Sequence, residues 1–412
     1  MIAFEKLILP NGLRVLVHED PSSPRVVVNT LYDIGSKDES PDRTGFAHLF
    51  EHLMFGGSAH IPDFDRPLQN AGGDSNAFTN NDITNFYNVL PPDNLELAFW
   101  LESDRMGFLQ ISKEKLETER QIVLEEFSET CLNQPYGDVW HHFYGLAFQT
   151  HPYHWPTIGL TPQHIEEATL EDVKTFYHKY YCPSNAILVV AGQVSSQHVF
   201  ELADKWFGDL PSGSPNHRLL PQEVSGDSIR RETIHADVPA DALYMGFYMP
   251  GREEFDFYVC DLLSDILGNG TSSRLYSRLY KQQQLFTGID AYIMGSVDPG
   301  LLIIEGQLAE GVSIDAAEKA LWAELRHLRD QTIDEDELRK LKNMMETNLV
   351  FSEISVLSKA INLAFFELLG SPQLINEEAE LYRRISADDL KRVATALFRE
   401  ENAVVLHYLA AP

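Results

Sequence analysis

An α+β fold is predicted, made of two homologous domains over 1–212 and 229–412 with a linker over 213–228. Three observations predict it. Strand-like and helix-like stretches are mixed along the whole chain. Pieces of the first half recur in the second. The stretch Leu210–Ser228, LPSGSPNHRLLPQEVSGDS, lies near the middle and has the Pro, Gly and Ser content of a linker. At 412 residues the chain has room for two or three domains with sizeable cores.

The repeat is legible without gaps. TLEDVKTFYHKYYCPSNAILVV (169–190) aligns with SADDLKRVATALFREENAVVLH (386–407), each reading as a capped helix, Asn-Ala and an apolar strand. ISKEKLETERQIVLEE (111–126) aligns with IDEDELRKLKNMMETN (333–348). Self-similarity of this kind marks two copies of one unit.

Composition narrows the function classes. Sixty-two acidic residues against 32 basic ones give a formal charge of −30. Such a surface repels nucleic acid and anionic membranes, so neither is expected as a partner. It serves solubility or attracts basic peptides. No apolar run approaches the roughly 18–20 residues of a membrane span. The N-terminus, MIAFEKLILPNGLRVLVHED, lacks the basic region and cleavage site of a signal peptide and reads as a strand pair. The three cysteines, Cys131, Cys182 and Cys260, are odd in number and far apart, which argues against a disulfide framework or a thiolate metal site. A cytoplasmic location is the expectation.

In chain order, Pro10-Asn11-Gly12 between Leu7–Leu9 and Leu13–Val17 signals a hairpin. Val26–Val28 and Leu31-Tyr32 read as a strand, and 35–43 as a polar loop. GFAHLFEHLMFGGS (45–58) follows, with an apolar stripe of Phe46, Leu49, Phe50, Leu53 and Met54 and a Gly-Gly stop. Gly72-Gly73 opens an extended segment with turn residues at 80–82, and Pro92 opens a helix ending near Gly107. Ser112 is the N-cap of a helix running to about Glu129, with Leu116, Ile122, Val123 and Phe127 as its apolar positions.

Within 45–58, His48, Glu51 and His52 are spaced H-x-x-E-H. On a helix, residues three and four apart share a face. Two imidazoles one turn apart are half of a zinc site, which needs a third ligand and an open position for water. Glu51 stands where it could take that water's proton. The competing reading is a pair of structural histidines. The helix after Ser112 offers the third ligand, because Leu116, Glu119, Val123 and Glu126 step by three, four and three. Two carboxylates thus lie in the stripe that should face the core, where an unpaired acid is costly. Either stripe carboxylate could supply the third ligand, with Glu125, off the stripe, as the second choice; pairing of Glu119 and Glu126 with Lys or Arg is the bland account. In the second copy Glu119 and Glu126 align with Leu341 and Asn348, and His48, Glu51 and His52 with Asp261, Ser264 and Asp265. The whole set is absent there, which points to one functional site in the first copy. His141 and His142 read as buried residues or as supports behind a ligand, since adjacent positions do not share a helix face and would not both ligate; His151, His154 and His164 read as structural or exposed.

These motifs, together with LPNGLRV, GGDSNAFTNNDITNFY, HPYHWPTIG and LGNGTSSRLYSRL, resemble the pitrilysin/insulinase inverzincin peptidases over nearly the whole chain, in particular the two-domain branch that includes mitochondrial processing peptidase. The resemblance implies domains built from an antiparallel sheet covered by helices, forming half of a clamshell chamber, and one Zn2+ per chain. It implies His48, His52 and Glu126 as zinc ligands, Glu51 as the residue activating water, Glu119 as an acid supporting the site, and Asn76 and Ala77 as the edge-strand pair binding substrate backbone. One departure stands out. The Arg and Tyr that relatives carry in the second domain align with Tyr280 and Thr287 here. A homologous zinc-free subunit supplying that pair is therefore the expected partner, making a heterodimer, with a homodimer as the alternative. The expected activity is zinc-dependent endoproteolysis of short or unfolded peptides. The rival readings are a non-catalytic core or assembly subunit and a zinc hydrolase acting on something other than peptides.

Overall fold

The computed structural model describes residues 1–216, 218–223 and 228–411, so the linker expected over 213–228 lies partly outside the described residues. The chain packs as two units. The first comprises Met1–Phe127, Pro156–Leu219 and Leu349–Glu377, and the second Ser128–Trp155, Leu220–Asn348 and Glu378–Pro412. These differ from a division at 212 and 229 in two segments, 128–155 and 349–377.

In the first unit, β1 (Glu5–Ile8), β2 (Arg14–Glu19), β3 (Val26–Tyr32), β4 (Asp74–Thr79), β5 (Thr84–Leu90) and β6 (Ala186–Gly192) form one sheet in the order β1-β2-β6-β3-β5-β4. In the second, β7 (Arg230–Ala236), β8 (Ala242–Met249), β9 (Phe286–Ile293), β10 (Gly300–Leu308) and β11 (Ala403–Ala410) follow the order β7-β11-β8-β10-β9. Apart from the extra β1, the two orders are one topology. The sheets are not purely antiparallel: β2 runs parallel to β6, and β7 to β11. The strands of each parallel pair, β2 with β6 and β7 with β11, are joined by long excursions, which permits parallel pairing.

Local chemistry explains the elements. Gly12, at φ 91°, turns the β1–β2 hairpin. Asn80 Oδ1 accepts the N–H groups of Asp82 (2.8 Å) and Ile83 (2.9 Å), an Asx turn that joins β4 to β5. Ser112 Oγ accepts the Lys115 N–H (3.2 Å) and caps the helix Lys113–Phe127. That helix buries Leu116, Val123 and Phe127, whereas Ile122, read from the sequence as an apolar core position, is 45% exposed. Ile122 is one position from Val123, and adjacent residues point about 100° apart on a helix.

Both faces of the first sheet are covered. Val15, Val17, Leu188 and Val190 meet the helices of one layer, while Leu16, Val27, Ile187 and Val189 meet Ala360, Leu363 and Phe366 of the helix Val356–Leu368. Double-sided burial is why these strands read as unbroken apolar runs. In the second unit the helix Val139–Ala147 buries Val139, Phe143 and Ala147 against Tyr244, Ile303 and Leu406. Burial of side chains such as Leu363 or Phe143 contributes about 2 kcal/mol each, and this is what assigns 349–377 and 128–155 to their units. Among the described residues no single helix is long and apolar enough to cross a membrane.

Candidate metal centre

The His helix, Phe46–Leu53, begins directly after Gly45, whose φ of 85° no branched residue would adopt readily. Its core face buries Phe46, Leu49, Phe50 and Leu53, and Phe50 stacks on Phe176 (5.0 Å) and Tyr181 (5.1 Å). His48, Glu51 and His52 are left on its half-buried side. The helix Lys113–Phe127 packs beside it.

That packing brings the predicted residues together. His48 Nε2 lies 3.7 Å from Glu126 Oε1, and His52 Nε2 lies 3.5 Å from Glu126 Oε2. The two imidazole rings are 4.9 Å apart at 85°. On the far side of His52, Nδ1 lies 3.8 Å from Glu119 Oε2. Glu125 is exposed and does not join the group. Among the described residues, His48, His52 and Glu126 form the one cluster whose donor atoms could surround a metal ion.

The cluster fits a zinc ion. Two nitrogens and a carboxylate are a known catalytic zinc donor set. Donors about 2.1 Å from a tetrahedral centre stand about 3.4 Å apart, close to the separations here and longer than ordinary hydrogen bonds. His48 Nδ1 is buried without a hydrogen-bond partner, so the polar outlet of that ring is Nε2, the atom facing Glu126. Burial lowers the His48 pKa, although the Glu126 charge opposes it, and so favours the neutral ring that ligates metals. Hydrogen bonding and charge from Glu126 raise the His52 pKa against its burial, and the same pair lowers Glu126. Partial burial raises Glu119, with His52 opposing. Glu119 thus stands behind His52 as carboxylates commonly stand behind metal-bound imidazoles.

Asn76 and Ala77 are on β4, the outer strand of its sheet and a neighbour of the His helix. They pair on the inner side with Tyr87 and Phe86. The Ala77 N–H donates to Asn76 Oδ1 (2.8 Å). The remaining histidines make local contacts: His151 Nδ1 accepts the Tyr153 N–H, His164 Nδ1 meets Thr44 Oγ1, and His142 lies 3.4 Å from Asp138.

Sequence reasoning missed the supports of the His helix. Glu39 is buried and bonds the backbone at its start, and Gly159 packs against Gly45, where an added Cβ would come within 3.1 Å of the Gly45 Cα. The signal available was Gly45 itself, a helix start with no capping side chain.

Comparison with known proteins bears directly on this site. Residues 14–159 match the insulinase family (peptidase family M16), and residues 167–345 match the family described as peptidase M16 inactive domain. The chain is 31% identical to the zinc protease PqqE of Helicobacter pylori, over 98% of this chain and 92% of that protein. The chain belongs to the M16 peptidase family. It is also 25% identical to a probable mitochondrial-processing peptidase subunit beta of Arabidopsis thaliana, over 96% of this chain and 76% of that one. In structure it matches a Helicobacter pylori protease crystal structure with a TM-score of 0.93 and 29% identity, covering 99% of this chain and all of the other. The M16 relatives so named are zinc proteases, and the His/Glu cluster lies within the segment that matches the insulinase description.

Proposed function

We propose that this M16 chain is a zinc-dependent endopeptidase that hydrolyses short or unfolded peptides. The observation that carries the reading is the convergence of His48, His52 and Glu126 around one point, with Glu51 on the same helix and an outer strand alongside. His48, His52 and Glu126 would hold the zinc, one ion per chain. When bound, zinc polarises a carbonyl and makes water easier to deprotonate.

The chain's own residues supply the rest. Glu51, whose charge reaches both imidazoles, accepts a proton from the attacking water and passes it to the departing amine. Glu119 orients His52 through Nδ1. The outer edge of β4 at Asn76 and Ala77 takes the substrate backbone as an added strand, which recognises amides rather than side chains.

The active complex includes a homologous subunit. Tyr280, tilted at 30° against Tyr276 with ring centroids 4.8 Å apart, and Thr287, exposed on β9, stand where relatives carry an Arg and a Tyr, and another chain supplies that pair. The named relative from Arabidopsis is itself a subunit of a peptidase. The three cysteines are buried thiols, in keeping with a reducing, cytoplasmic setting.

The test is co-purification from the native source, with metal analysis and turnover of a peptide library by the chain alone and by the complex. One zinc per chain and partner-dependent cleavage are expected. Zinc-loaded complex without turnover would support the non-catalytic subunit instead, and ester or small-amide turnover without peptide cleavage would support a different hydrolase.

A further inference from the structure

Glu39 takes no part in the mechanism above, yet it is bonded to the helix that carries His48 and His52. Its side chain is buried. One carboxylate oxygen accepts the Gly45 N–H at 2.9 Å, and the other accepts the Ala47 N–H at 2.7 Å. Ala47 immediately precedes His48.

The first N–H groups of a helix have no partner within it. A serine or threonine usually caps them, but Gly45 has no side chain to do so. Nor can Gly45 be exchanged for a capping residue. Its φ is 85°, and a Cβ there would stand 2.8 Å from the Ile158 carbonyl oxygen. A carboxylate from six residues upstream therefore takes both N–H groups. Such charge-assisted bonds are about twice as strong as neutral ones, and the negative charge sits at the positive end of the helix dipole. The His helix has only eight residues, so its first turn is a large share of it.

We propose that Glu39 is a positioning residue for the zinc site, fixing the rotation and axial placement of the His helix so that His48 and His52 meet Glu126. The proposal rests on the zinc reading above. The ligands come from two helices far apart in sequence, and ligand distances must hold within about 0.2 Å. Releasing Gly45 and Ala47 lets the turn that carries His48 move, while Glu126 stays with its own helix.

The experiment compares zinc affinity of the full chain with that of E39A, E39Q and a control, E19A, by competition with a chromophoric chelator. Measurements are made well below the melting temperature of the least stable variant. Glu19 is a fair control because it caps a different helix, Ser196–Phe207, accepting the Ser196 N–H at 2.7 Å and its hydroxyl at 2.9 Å. E39A is expected to weaken zinc binding about 10- to 100-fold, in the range of residues that support metal ligands. E39Q, which keeps the volume and one acceptor, should fall between E39A and the native chain, and it carries the test if E39A does not fold. E19A should lower the melting temperature with zinc affinity unchanged. Native-like affinity in the Glu39 variants, or an equal loss in E19A, would overturn the proposal alone. A native chain that takes up no zinc would overturn the zinc reading and this proposal together.

Discussion

The two halves of the chain keep the same frame and differ in what they place on it. Thr169 with Asp172 and Ser386 with Asp389 form matching capping boxes. Asn185 Nδ2 donates to Asp33 O (3.1 Å) and Tyr180 O (2.9 Å), and Asn402 Nδ2 donates to Tyr248 O (3.0 Å) and Leu397 O (2.9 Å). In both copies a buried amide therefore ties the end of a helix to the strand that precedes the pivotal helix. The contrast lies on that helix and its neighbour. Where the first copy has His48, His52, Glu119 and Glu126, the second has Asp261, Asp265, a buried Leu341 and an exposed Asn348. Asp261 accepts the Tyr382 hydroxyl (2.5 Å) and Asp265 accepts the Asn269 amide (2.8 Å), and burial raises the pKa of both, Asp265 to about 6. The frame is common to both copies; among the described residues, the candidate donor set belongs to the first alone.

The sharpest way to probe the difference is Glu51→Gln. Turnover should fall about 10²- to 10⁴-fold with zinc content unchanged, measured by steady-state kinetics and metal analysis. Retained cleavage would remove Glu51 from its role. His48→Ala and His52→Ala should each lose the metal as well as activity.

The shared frame can be broken in either copy. Asn185→Ala and Asn402→Ala each remove two hydrogen bonds from a buried amide, although Asp33 O keeps Asn216 and Arg218 as donors and Leu397 O keeps the Arg399 N–H. Each should cost about 1–3 kcal/mol, read from chemical denaturation. A large loss for one and none for the other would mean that the two amides are not equivalent supports.

Acid should weaken both units over one window. Hydrogen bonding from Lys359 and Ser22 holds Asp20 down to about 2. Against the burial that would raise it, hydrogen bonds from Arg231 and His407 hold Glu318 down to about 2. A carboxylate whose folded pKa is depressed stabilises fully above its unfolded value and loses that contribution as pH falls toward the folded one. Melting temperature should therefore decline from about pH 4.5 toward pH 2. Glu318→Gln and Asp20→Asn should each flatten the decline, with Glu318→Gln also costing stability at neutral pH because Arg231 loses a bidentate partner. An unchanged acid profile in both variants would refute the assignment.

The smallest effect is expected where the second copy has lost the donors. Asp261→Asn with Asp265→Asn should leave zinc at one ion per chain, and metal analysis of the double variant checks it. A drop in zinc would mean that the second copy binds metal too.

Much of this was legible in the residues. H-x-x-E-H with the Glu119/Glu126 step specified a site because helical spacing fixes which side chains share a face. The choice of Glu126 over Glu125 followed the apolar stripe, and the geometry has Glu126 beside both imidazoles. The Ile122 expectation failed because an apolar residue flanking a stripe is not bound to face the core. Glu39 was invisible because its partners are backbone N–H groups, which leave no pattern in side-chain identity.

By itself the sequence determined the local content: two copies of one strand-and-helix unit, their caps and turns, and one copy carrying a His/Glu set. Periodicity and propensity act over a few residues, so they survive in the string. Only the tertiary structure decided which sheet the helices Val139–Ala147 and Val356–Leu368 cover. An apolar stripe states that a face must be buried and not against what. The parallel pairing of β2 with β6 and of β7 with β11, and the carboxylate clamp of Glu39 on the His helix, depend in the same way on residues brought together by packing.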